Sequence, residues 1–173
     1  MITRTLVCAL LLVAPLTFAL PPVSRGQETA SHPKARNIAE IKLEPVPGMP
    51  MCAPGAVLSG DPSKGPSIIV GKLPAGCLVP WHYHTPNEQL MMISGVARLD
   101  VKDGEPVILR AGGFALMPSH HVHQFRCTTA CSLFVHSDAA YDIHYVDAQG
   151  KEIPADDALN VVQKTKPKSA KAK

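Results

Sequence analysis

Between residues 67 and 147 the chain is cut by turn chemistry into runs too short for ordinary helices. The cuts fall at Pro74-Ala75-Gly76, Thr85-Pro86-Asn87, Asp103-Gly104 and Ala111-Gly112-Gly113. Proline presets φ, glycine and asparagine tolerate positive φ, and such clusters end regular structure. Ahead of them, Gly60-Asp61-Pro62-Ser63-Lys64-Gly65-Pro66 is denser still, and regular strands are expected to begin just after it. The intervening runs read as strands at residues 67–73, 88–94, 96–101, 106–110, 114–117, 124–127, 132–138 and 142–147. Residues 96–101 alternate apolar and polar side chains, as a half-buried strand should. Short strands at such intervals argue for a closed all-β barrel. No internal repeat appears, so one barrel is expected. Pro45, Pro47 and Pro50 forbid a helix across residues 38–51 and suit an extended arm. The one helix expected is short, within residues 155–162.

The chemistry concentrates in Trp81-His82-Tyr83-His84 and in Glu88. Successive side chains of a strand alternate faces. His82 and His84 can therefore aim at one point while Trp81 and Tyr83 face away. After the turn at Thr85-Pro86-Asn87, Glu88 opens a new strand and can reach back to that point. Two imidazoles and a carboxylate converging on one spot outline a divalent-metal site. Gly76 and Gly95 bracket the stretch, and Gly112, Pro118 and His123 follow it.

The spacing Gly76, five residues, His82-x-His84, three residues, Glu88, six residues, Gly95 resembles the first signature motif of the cupin family at every fixed position. Gly112, five residues, Pro118 and then His123 resemble the second. That second motif departs from the family pattern at His120 and Cys127, where the family usually has Gly and Asn. The resemblance covers about residues 67–146 and implies the family's double-stranded β-helix, a jelly-roll-like barrel. The chain then divides into a leader at 1–26, a proline-rich arm at 27–66, the barrel at 67–147 and a C-terminal extension at 148–173. The resemblance also implies that His82, His84, Glu88 and His123 hold one divalent metal, with one or two positions left for water, oxygen or substrate. Three nitrogens and one oxygen suit iron, manganese, nickel, copper or zinc, and ligand type does not choose among them. A homodimer is expected on the same ground, with Trp81 and Tyr83 as candidates for the contact.

Leu90 and Met92 share strand parity with Glu88, and Phe125 and Cys127 share it with His123. They would wall the cavity, as they would equally fill a plain core. His136 and His144 are candidates to orient a ligand or substrate from neighbouring strands. His120 and His121 read as loop residues beside Pro118.

The N-terminus reads as a processing segment. Arg4 precedes an apolar run at residues 6–18, too short to span a bilayer, with small-residue cleavage points after Ala19 and Gly26. A secreted or periplasmic protein without a membrane anchor after cleavage is expected. Removing Cys8 with the leader leaves Cys52, Cys77, Cys127 and Cys131 in an oxidising compartment. Cys127 and Cys131 flank a turn and could bridge it, leaving Cys52 to pin the arm at Cys77. Four cysteines allow three pairings, and the sequence does not choose. Zinc held by all four thiolates is the competing reading, against which stands the lack of any Cys-x-x-Cys.

The formal charge of +3 conceals an acidic body. Residues 27–163 carry ten basic and fourteen acidic side chains, while the last ten residues carry five lysines and no acid. No basic face with interleaved aromatics exists to bind nucleic acid, and the tail reads as a solvated, disordered basic end. Three function classes follow. One is a metal-dependent enzyme on a small organic molecule, dioxygenase-like because the four-ligand pattern resembles quercetinase-type cupins. The others are a non-catalytic metal or small-ligand-binding module and a metal-stapled scaffold.

Overall fold

The computed structural model describes residues 35–164, with side chains to residue 160. The leader and the lysine-rich tail, read above as a signal peptide and a disordered end, lie outside the described residues. Ten strands follow a single 3-10 turn at Ile38–Glu40. They are β1 (Gly55–Gly60), β2 (Ser67–Leu73), β3 (Leu78–Tyr83), β4 (Glu88–Ser94), β5 (Val96–Val101), β6 (Val107–Arg110), β7 (Phe114–Met117), β8 (His123–Cys127), β9 (Cys131–Ser137) and β10 (His144–Tyr145). One helix, α1 (Ala155–Lys164), closes the described chain.

The strands form two five-stranded sheets, ordered β1-β2-β9-β4-β7 and β10-β3-β8-β5-β6. Every pairing is antiparallel, and the sheets enclose one core. This is the all-β barrel that the turn spacing implied, in the jelly-roll-like form that the resemblance implied. Alternation places Glu88, Leu90 and Met92 of β4 inward, all buried, so the expected parity holds. Across the same sheet Glu88 pairs with Ser137, Leu90 with Val135 and Met92 with Leu133, which stacks the inner face in layers.

Regular strands begin earlier than the sequence placed them. β1 lies before the dense turn, and pairs with β2 through a bulge between Val57 and Ser59. Its own residues, Gly-Ala-Val-Leu-Ser-Gly, carry no alternation; cross-strand pairing with β2 makes it a strand. Gly95 joins β4 to β5 at φ +79°, where a Cβ would sit 2.1 Å from the Ala130 carbonyl oxygen. Only glycine fits there.

Two cysteine pairs lie at disulfide distance. Cys52 pairs with Cys77, Cα atoms 5.7 Å apart, and Cys127 with Cys131, 6.0 Å apart. The first ties the arm to the start of β3; the second spans the β8–β9 turn. The arm is held further by the Tyr145 hydroxyl, which donates to the Gly48 carbonyl at 2.7 Å. Helix α1 buries Ala158 against the barrel and starts with Asp156 and Asp157, whose charge suits a helix N-terminus. Among the described residues no helix is long and apolar enough to cross a membrane.

Candidate metal centre

His82 and His123 are direct cross-strand partners on β3 and β8. His84 follows β3, and Glu88 opens β4 in the opposite sheet. All four side chains are buried, at 1–4 % exposure. His82, His84 and His123 form a cluster that could hold a metal ion, their ligand atoms all within 4.8 Å of one another. The Glu88 carboxylate straddles two rings, with Oε1 3.4 Å from His84 Nε2 and Oε2 3.3 Å from His123 Nε2.

Backbone carbonyls decide the protonation of the rings. His82 Nδ1 donates to the Pro80 oxygen at 2.6 Å, His123 Nδ1 to the His121 oxygen at 2.9 Å, and His84 Nδ1 to the Asp142 oxygen. A carbonyl oxygen only accepts, so each Nδ1 carries a proton, and Nε2 is the nitrogen each ring turns toward the cluster. Burial, followed by the neighbouring His123 and His84 rings, holds His82 well below the usual imidazole pKa. Burial pushes the Glu88 carboxyl up, but the His84 and His123 rings outweigh it and the net shift is downward. The Nε2 atoms of His84 and His123 therefore face an ionised carboxylate. The Nε2 atoms of His84 and His123 are buried and make no hydrogen bond. Two orphaned nitrogens aimed at a buried carboxylate are what a cation would satisfy, and imidazole and carboxylate donors suit a divalent transition metal.

The aim of His82 depends on a feature that simple alternation does not contain. The β3–β8 register runs Val79 to Phe125 and then His82 to His123, so β3 carries one extra residue. This bulge, at Pro80-Trp81, turns both Val79 and His82 inward. It also frees the Pro80 carbonyl to hold the His82 ring.

The family model for the Cupin domain matches residues 69–137. Residues 69–137 are a cupin domain. No curated protein matches the sequence. Among solved structures, a conserved protein of unknown function from Streptococcus pyogenes is similar at 18% identity, over 54% of this chain and 75% of that one, with a TM-score of 0.44. Salicylate 1,2-dioxygenase from Pseudoaminobacter salicylatoxidans, solved as adducts with gentisate, is similar at 18% identity, over 51% of this chain, with a TM-score of 0.46. A dimethylsulfoniopropionate (DMSP) lyase from Ruegeria pomeroyi gives 22% identity, over 58% of this chain, and 0.46. The match spans 25% of the dioxygenase chain and 50% of the lyase chain.

Both departures from the cupin motif have physical accounts. His120 stands at the usual glycine position with φ +61°, the left-handed conformation glycine adopts freely. Its N–H donates to the His84 carbonyl at 2.8 Å, and its ring stacks on Tyr83. Cys127 stands at the usual asparagine position and lies at disulfide distance from Cys131.

Other expected residues land elsewhere. His144 pairs in register with outward-facing Tyr83 and stacks on it at 4.8 Å, bonded to Glu152 at 2.9 Å. His136 lies beside Gln89 on the outer face of its sheet. Neither points to the cluster, so neither orients a ligand there. Tyr83 is held by its own chain, between His120 and His144, with its hydroxyl donating to Glu152 at 3.0 Å. Leu90 and Phe125 do wall a cavity of about 70 Å³ beside the cluster.

Tyr141 was not singled out by the sequence reading. It lines this cavity, its ring lies 4.8 Å from that of His84, and its hydroxyl donates to Met49 Sδ at 3.9 Å. Burial first, and then the Glu88 charge, raise its pKa well above the ordinary tyrosine value, so it stays a neutral hydroxyl. It sits in an irregular segment before β10, where no motif or periodicity marks it.

Proposed function

We propose that His82, His84, Glu88 and His123 bind one divalent transition metal, and that the protein is a metal-dependent, dioxygenase-like enzyme acting on a small organic molecule. One observation carries this reading: three imidazoles, each held at Nδ1 by a backbone carbonyl, gather their ligand atoms within 4.8 Å of one another beside the buried Glu88 carboxylate. A metal held there supplies a Lewis acid with open positions for substrate or dioxygen. The chain's own residues do the rest. Pro80, His121 and Asp142 carbonyls lock the rings in their ligand tautomer. Tyr141 keeps a neutral hydroxyl at the cavity wall, and the apolar inner faces exclude water.

The alternative, a non-catalytic metal or small-ligand-binding module, is favoured by a separate observation. Apart from the histidines and Glu88, Tyr141 is the one titratable side chain lining the cavity. Little general acid–base machinery surrounds the site.

The two disulfide-distance pairs support an oxidising compartment, in keeping with a secreted or periplasmic protein whose leader is a cleaved signal peptide. We propose a homodimer as its assembly.

Elemental analysis of tag-free protein tests the metal reading. About one equivalent per chain is expected, lost in His84→Ala and His123→Ala while far-ultraviolet circular dichroism is kept. Full metal retention in both variants discards the site. Oxygen uptake across flavonols, diketones and catechols then separates the classes: metal-dependent uptake supports the enzyme, and saturable binding without turnover supports the module.

A further inference from the structure

The cavity beside the cluster is built for a particular kind of guest. It runs between the two inner faces, away from Glu88 and past Leu90 and Leu133. No lysine or arginine lines it, so nothing there can neutralise an anionic group placed away from the cluster. One side of its wall is the arm, through Val46, Met49 and Ala53. The arm is tied down by the Cys52–Cys77 pair and by Tyr145 on the Gly48 carbonyl.

Gly71 adds an independent pointer. It lies on the inner face of β2 in the third layer from Glu88, paired in register with Leu133. A glycine inside a strand gives up packing, and its use signals close approach by a ligand or another chain segment. A Cβ at Gly71 would meet Leu73 Cδ1 at 3.3 Å, Leu133 Cδ2 at 3.6 Å and the Pro54 carbonyl oxygen at 3.8 Å. The bare position keeps room at the far end of the cavity, where a methyl would take it up.

We propose that this chamber receives the non-coordinating part of the ligand. The ligand class is a small molecule with one metal-binding head and a short, uncharged, apolar body, its length limited by the clamped arm. This rests on the metal reading above, and the test separates the two.

Calorimetry on zinc-loaded protein compares acetate, butyrate, succinate and octanoate. Acetate reports the head position alone. Butyrate is expected to bind about tenfold more tightly, from its two added methylenes. Succinate, which has a second carboxylate at its far end, is expected to bind at least tenfold more weakly than butyrate. Octanoate is excluded from the wild type and admitted when Cys52→Ser frees the arm. Gly71→Ala is expected to remove the butyrate advantage while leaving zinc content and acetate binding unchanged.

Succinate binding as well as butyrate overturns the uncharged-body assignment, and octanoate binding the wild type as well as butyrate overturns the length limit. If none of zinc, iron, manganese, nickel or copper loads, the metal reading fails. The chamber is then judged on metal-free protein by xenon, which is expected to shift the methyl resonances of Leu90, Leu133 and Val135. No shift there overturns the chamber itself.

Discussion

An imidazole that has given its Nδ1 proton to a carbonyl keeps one lone pair, and burial makes that lone pair costly unless something positive meets it. Three of the eight histidines are buried with Nδ1 tied to a backbone carbonyl, the state in which Nε2 can serve as a ligand. His144 is in the opposite one. Its hydrogen bond to Glu152 raises its pKa above 6.5; burial opposes this, and Asp142 adds to it. A raised folded-state pKa contributes stability that is fully present below the unfolded value near 6.5 and is lost as pH rises through the folded value. His144→Gln should therefore cost more at pH 6 than at pH 8.5 in urea denaturation. An equal cost at both would show that the Glu152 pairing carries no charge-dependent stability.

Elements owe their positions to bulges and turns as much as to strand pattern. Without the extra residue at Pro80-Trp81, Val79 and His82 could not both face inward. Gly76 and Gly95 bracket the same motif, and both adopt φ +79°, yet their surroundings differ. A Cβ at Gly76 meets nothing within 4 Å, whereas at Gly95 it meets the Ala130 oxygen at 2.1 Å. Gly76→Ala should cost only the left-handed conformation, about 1 kcal/mol. Gly95→Ala adds a backbone clash and should cost at least about 3 kcal/mol. Thermal denaturation of the two variants checks the order, and equal costs would show that the β4–β5 turn moves aside easily.

For the molecule as a whole, cross-links and surface chemistry set behaviour. Mature protein should show no thiols reactive to a chromogenic disulfide reagent under denaturing conditions. Cys52→Ser should lower stability by about 3 kcal/mol through the lost loop constraint; four reactive thiols in secreted material would remove the disulfide reading. Phe114 and Leu116 on β7 are 57% and 49% exposed, paired in register with Met91 and Gln89. Such an apolar strand face suits a second copy. Phe114→Glu with Leu116→Glu should convert a dimer to a monomer in sedimentation velocity, and wild-type protein that is monomeric at high concentration would end the dimer proposal.

Much of this was legible in the chain itself. Turn residues at short intervals allow strands and little else, and strand parity, a local property, sets His82 and His84 on one side, while Glu88 and His123 were legible only through the spacing of the motifs. β1 was not legible, because its residues carry no alternation and pairing with β2 alone makes it a strand. Nor were the carbonyls of Pro80, His121 and Asp142, since every residue has one and only packing aims it. Tyr141, the outward turn of His144 and the apolar chamber behind the cluster belong to the same class. They depend on which distant segments meet across the barrel, and long-range pairing decides that where local pattern cannot.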